Sequence, residues 1–148
     1  MRDLSLHLLD LLDNCIAAAA SHVEVRIRED RARDLLEMEI QDDGTGMDGE
    51  SLQRALDPFY TTRAGKRVGL GLALFAQASR EAGGSVSVSS EPGGGTRVSG
   101  SFRLSHPDRK PLGDMDGTIQ AVRATHPGMS LEYSYTLVEA SECRGGSR

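Results

Sequence analysis

The chain predicts an α+β fold, a two-layer sandwich with helices on one face of a mostly antiparallel sheet. Three observations carry this reading. Apolar and polar residues alternate strictly over 22–29 and again over 36–41, the period of half-buried strands joined as a hairpin. Two longer stretches, 4–20 and 69–82, carry apolar residues at helical spacing. The order helix, two strands, helix, connecting loop, helix, hairpin then puts the helices in one layer and the strands in another.

The totals set outer bounds. At 148 residues the chain is long enough for a core of ordinary proportions, and its net charge of -5 argues against coating a nucleic acid. Two cysteines, Cys15 and Cys143, are too few for a disulfide framework. No apolar run reaches the ~20 residues of a membrane span. The opening MRDLSLHLLDLL is interrupted by His7 and Asp10 and is not a signal peptide. The expectation is a cytoplasmic protein that neither binds nucleic acid nor spans a membrane.

In the first helix Leu4, Leu8, Leu11, Leu12, Cys15, Ile16 and Ala19 share the apolar face, with Asp3 or Ser5 placed to cap its start. Cys15 reads as a small buried filler. His7, Asp10 and Asn14 form a polar flank, the last two only about 40° apart and one turn along the axis. His7 reads as an ordinary surface or packing histidine. Val23, Val25 and Ile27 alternate with Glu24, Arg26 and Arg28 in the first strand. Asp30 to Arg33 is a polar turn, and Leu36, Met38 and Ile40 mark the second strand. Asp42 shares the parity of Ile40 and so points toward the covered face, where a carboxylate needs a partner.

Gly49 to Leu56 reads as a short helix stopped before Pro58. Residues 61–68 read as a mobile loop. The helix from Gly69 to Ala82 is apolar over much of its surface and ends at Gly83-Gly84. Ser85 to Ser90 is a strand, Glu91 to Gly95 a turn, and Thr96, Val98, Phe102 and Leu104 share one face of a longer strand. Residues 1–105 form one domain on this reading. Residues 106–138 form an extension packed on it, with a helix near Gly117–Thr125 and a strand near Leu131–Val138. Residues 139–148 read as a frayed tail.

Chemistry concentrates between Gln41 and Gly71. A carboxylate stands beside two closely spaced glycines, then a loop with three basic residues and no acid, then paired glycines opening a helix. Free backbone N–H groups at a helix start and nearby cations suit an anionic ligand, and the whole order suits a nucleotide. Gly44-Thr45-Gly46-Met47-Asp48-Gly49 also matches the dinucleotide pattern G-x-G-x-x-G. That motif requires a parallel βαβ unit and an acid about 20 residues on, where this chain has Lys66 and Arg67. The phosphate-loop pattern G-x-x-x-x-G-K-[ST] is absent.

Four segments in order resemble the boxes of the Bergerat-fold (GHKL) ATPases, the family of gyrase, heat-shock chaperone ATPases, histidine kinases and mismatch-repair ATPases. Asp10-Leu-Leu-Asp13-Asn14 resembles the N box, and Asp42-Asp43-Gly44-Thr45-Gly46 the first glycine box. Asp57-Pro58-Phe59-Tyr60-Thr61-Thr62 resembles the F box of histidine kinases, and Gly69-Leu70-Gly71-Leu72 the second glycine box. Thr96 after a glycine run matches the family's late threonine. The resemblance covers about residues 4–104.

The resemblance implies Mg-ATP as ligand and assigns roles. Asp42 would accept the adenine amino group, although by itself it reads as an Asx turn at a strand end. Gly44 and Gly46 would let the backbone approach the base, Met47 would belong to the nucleotide-binding set, and Thr96 would share the hydrogen bonding of Asp42. Asn14 would coordinate Mg²⁺ through its amide oxygen. Asp10 occupies the position of the water-activating acid, a Glu in the gyrase and mismatch-repair branches. Phe59, Thr61 and Thr62 belong to the F box. Arg63, Lys66 and Arg67 would meet the phosphates, as would the N–H groups at Gly69, Leu70, Gly71 and Leu72. Val68 stands where many histidine kinases have threonine.

The F box and short loop point to the histidine-kinase branch, yet no helix pair with a phosphoacceptor histidine precedes them. The expectation is a free-standing module acting with an unidentified protein partner, a homodimer being left open. Two functions follow: an enzyme that hydrolyses ATP or phosphorylates that partner, or an ATP-sensing binding module with negligible turnover.

Overall fold

The structure, a computed structural model, describes residues 3–56 and 70–139. In chain order the elements are α1 (Leu4–Ala17), β1 (His22–Asp30), β2 (Leu35–Asp42), α2 (Gly49–Leu56), α3 (Leu70–Glu81), β3 (Val86–Glu91), β4 (Gly95–Arg103), α4 (Met115–Thr125) and β5 (Ser130–Val138). The five strands lie in the order β3-β4-β2-β1-β5. All neighbours are antiparallel except β1 and β5, which are parallel because α4 carries the chain back across the sheet before β5. The expected two-layer α+β sandwich is therefore present.

Local chemistry accounts for the ends of α1. Asp3 is the cap: its carboxylate accepts the Leu6 N–H at 3.1 Å and the Ser5 hydroxyl at 2.6 Å. The connector before α4 supplies two more acceptors, Pro111 O to the Leu4 N–H and Leu112 O to the Ser5 N–H. The helix stops three residues short of the expected Ala20. Ala19 takes a left-handed conformation (φ 59), and the Ala19 and Ala20 N–H groups donate to Ile16 O and Cys15 O. That pair of bonds is a Schellman stop with alanine in the place usually held by glycine.

The β1–β2 turn is closed by Asp30, which is only 2% exposed and accepts the Arg33 N–H at 3.1 Å. The expected polar turn thus has a buried carboxylate at its base. From the helical layer, Leu4, Leu8, Leu11, Leu12 and Cys15 of α1 join Leu72, Phe75 and Ala78 of α3 in one core. They meet Val23, Val25, Ile27, Leu36, Met38, Ile40, Val98 and Phe102 on the covered face of the sheet. Met115, Ile119 and Val122 of α4 and Leu131 of β5 belong to the same cluster. His7 is buried at 3% exposure with its ring 6.2 Å from that of Phe75, so it is a packing histidine and not part of the polar flank.

The opposite face of the sheet is open and charged. Arg26 pairs with Glu39 at 3.2 Å and with Glu24 at 3.1 Å, and Arg97 also pairs with Glu39. This is the alternation of covered and solvated residues that the strand periodicity predicts. A hollow of about 400 Å³ lies over this face, lined by Arg26, Arg28, Glu37, Glu39 and several serines. Its cross-strand ion pairs make it a solvated surface, and none of the residues assigned by the resemblance lines it.

Candidate functional site

A second cavity, of about 250 Å³, lies between α1 and the covered face of β2 and β4. Asn14, Asp42, Gly46, Met47, Leu72 and Thr96 all line it. They come from α1, β2, the loop after β2, α3 and β4, so the fold gathers residues up to 82 positions apart in the chain. Leu11, Ile40, Leu72 and Val98 give it aliphatic walls, and Asp42 places a carboxylate among them. An apolar slot with a carboxylate and a few other polar groups suits the faces and polar edge of a flat heterocycle.

Asp42 is held at both oxygens. Oδ1 accepts the Gly44 N–H at 2.8 Å, the Asx turn its sequence context allowed. Oδ2 accepts the Cys15 thiol at 3.3 Å. Cys15 is therefore more than filler: it lines the cavity and donates to the carboxylate in it. Burial first, then the adjacent carboxylate, push this thiol well above its ordinary range, so it stays protonated.

The neighbouring Asp43 has a different task. It is exposed and accepts the N–H groups of Ser21 and His22 at 2.8 and 3.0 Å and the Ser21 hydroxyl at 2.7 Å. The His22 N–H, then the Ser21 hydroxyl and N–H, hold its carboxyl down to about 2. Asp43 thus ties the glycine box to the start of β1 while Asp42 faces the cavity.

The glycines meet protein backbone. A side chain at Gly44 would stand 2.7 Å from Ala18 O, and one at Gly46 (φ +72) would overlap Glu91 O. Gly46 still lines the cavity, but what demands glycine is the packing of this loop on α1 and on the β3–β4 turn. Two bonds complete that packing: Thr45 N–H to Ala18 O at 2.9 Å and Gly93 N–H to Thr45 O at 2.7 Å.

Thr96 pairs in register with Asp42, as its placement on the neighbouring strand requires. Its hydroxyl, however, lies 2.8 Å from that of Ser90, across the β3–β4 ladder. Ser90 Oγ also accepts the Met47 N–H at 2.8 Å. Ser90 is thus the link between the glycine box and the threonine, and its only sequence signal is its place opposite Thr96 across the hairpin turn.

Asp10 and Asn14 sit one turn apart on α1, both half-buried. A Cβ added at Gly71 would stand 2.7 Å from the Cβ of Asp10, so glycine there lets the start of α3 close onto the N-box helix. Asp13, one turn from Asp10, is raised above the usual carboxylate range by burial and then by the Asp10 charge. Phe59, Thr61, Thr62, Arg63, Lys66, Arg67 and Gly69 lie outside the described residues, as does the side chain of Leu70.

Residues 2–108 match the sequence profile of the family described as histidine kinase-, DNA gyrase B-, and HSP90-like ATPase. The chain belongs to that family, as a histidine-kinase-like ATP-binding domain. A putative sensor protein of Shewanella frigidimarina is 30% identical over 103 residues, 68% of this chain and 16% of that protein. The sensor histidine kinase YxdK of Bacillus subtilis is 33% identical over 90 residues, 58% of this chain and 27% of the kinase. The chain thus spans a minor part of the length of these relatives. The crystal structure of the N-terminal domain of a DNA repair protein superposes with a TM-score of 0.66 over 93% of this chain and 50% of that one. At 18% identity this likeness speaks for the fold alone. Among the described residues no helix is long and apolar enough to cross a membrane.

Proposed function

We propose that the chain binds Mg-ATP in the cavity between α1 and β2–β4, and uses it to hydrolyse ATP or to phosphorylate a partner protein. The observation that carries this reading is the convergence of Asn14, Asp42, Gly46, Met47, Leu72 and Thr96 on one cavity. Asp42 accepts the exocyclic amino group of adenine, and the aliphatic walls cover the faces of the base. Asn14 holds Mg²⁺ through its amide oxygen. Asn14 alone would not satisfy the ion, and magnesium ordinarily keeps waters and substrate phosphates among its ligands. Magnesium, when bound, neutralises phosphate charge. By the family resemblance Arg63, Lys66, Arg67 and the N–H groups from Gly69 to Leu72 would meet the phosphates, and Phe59, Thr61 and Thr62 belong to the F box.

Asp10 takes the proton of an attacking water or acceptor group. The short aspartate, one methylene less than glutamate, favours a second reading in which the protein senses ATP and turns it over negligibly. Turnover assays with and without candidate partners separate the two: Asp10→Asn loses ~10²-fold or more of the rate if Asp10 is the base. Calorimetry with Mg-ATP and Mg-GTP tests the binding reading itself. ATP is expected to bind more tightly, and Asp42→Asn to weaken it by about 1–3 kcal/mol. Equal affinities for the two nucleotides in the wild type remove the Asp42 assignment.

A further inference from the structure

We propose that Cys15 is a specificity-determining, positioning residue: its thiol holds the Asp42 carboxylate in the one orientation that reads an amino-bearing base. The inference rests on the assignment of Asp42 to the base and deepens it. A carboxylate on one methylene turns freely about its last bond when one oxygen alone is held. Here each oxygen has its own donor, Gly44 N–H at 2.8 Å on Oδ1 and Cys15 Sγ at 3.3 Å on Oδ2. The donors come from different elements, the loop after β2 and the helix α1, so the carboxylate plane is fixed by the packing of one on the other. Two ionised oxygens offer about four acceptor positions, so two remain for a ligand.

Cys15 suits this task for two reasons. It is 3% exposed, so its thiol is largely screened from bulk solvent. It lines the cavity itself, directly after Asn14, so metal holding and base reading share one turn of α1. An apolar residue here leaves Oδ2 without its protein donor in a partly buried place. The carboxylate is then able to turn, or to accept from water in the thiol's stead, and its preference for an amino donor over a carbonyl falls.

The test uses the full chain with Cys15→Ala, the volume-keeping Cys15→Val, the donor-keeping Cys15→Ser, and Asp42→Asn. Each is titrated calorimetrically with Mg-ATP, Mg-GTP and the triphosphate of unsubstituted purine riboside, and thermal unfolding is recorded alongside. Loss of the thiol donor is expected to weaken ATP by about threefold to tenfold in Cys15→Ala and Cys15→Val. GTP and the amino-free purine change less, so the ratios of ATP to both shrink. Cys15→Ser keeps the wild-type ratios within about twofold, whatever its melting temperature. If Asp42→Asn abolishes discrimination while Cys15→Ala and Cys15→Val retain it, Cys15 is only a packing residue and the inference is overturned. If the wild type does not discriminate, or Asp42→Asn discriminates as well as wild type, the base-reading role of Asp42 fails first and the inference falls with it.

Discussion

Adjacent aspartates do different work at the end of β2, because strand parity sends Asp42 to the covered face and Asp43 to solvent. Asp43 is held at about 2, below the ordinary value of 3.8, by the N–H groups and hydroxyl of Ser21 and His22. A depressed folded value means that the charged form stabilises the native state. That contribution is complete above the unfolded value of 3.8 and is lost as pH falls through about 2. Asp43→Asn should therefore be less stable than wild type at pH 6, with the gap closing between about pH 4 and pH 2. Urea midpoints measured across that range check it. A gap that stays constant down to pH 2 means that these bonds do not depend on the charge.

At the scale of elements, α1 and its contacts decide the site. Its C-terminal stop places Ala19 in a left-handed conformation that suits glycine better. Ala19→Gly should raise stability by about 0.5–1 kcal/mol, read from chemical denaturation. A loss instead means that the alanine methyl packs usefully. Gly71→Ala should go the other way. Glycine to alanine inside a helix ordinarily stabilises, but here the new methyl meets the Asp10 Cβ at 2.7 Å. The expected cost is about 1–3 kcal/mol from overpacking, with α3 pushed away from the N-box helix. A stabilised Gly71→Ala protein excludes the close approach of α1 and α3.

For the molecule as a whole, the question is how residues 106–138 relate to the rest. We infer that they complete the domain and are not an appendage. β5 extends the sheet along β1, α4 packs beside α1, and the connector caps the α1 N-terminus. Ile119, 1% exposed, shares the core with Leu4, Leu8 and Val25. Ile119→Ala should cost about 2–5 kcal/mol and preserve a single unfolding transition. Hydrogen exchange should show the amides of β2 losing protection together with those of β5. Unchanged protection in β2 means that the last helix and strand unfold as a separate unit.

Much of the architecture was legible from local pattern. Strand alternation and helical spacing act through side-chain direction alone, so β1, β2, α2 and the apolar faces of α1 and α3 stand within a few residues of where periodicity put them. Four boxes in order sufficed for the family, because each is a short run of residue types that local sequence displays. Other features required the folded chain. The parallel pairing of β5 with β1, the thiol of Cys15 on Asp42, and the Ser90 bridge between Thr96 and Met47 all join distant segments. Cys15 and Asp42 are 27 residues apart, and no propensity or spacing rule relates them. The contacts that Gly44, Gly46 and Gly71 allow, with Ala18, Glu91 and Asp10, likewise appear only in the folded chain. Periodicity determines which way a side chain faces; only the packing of one element on another determines what it meets.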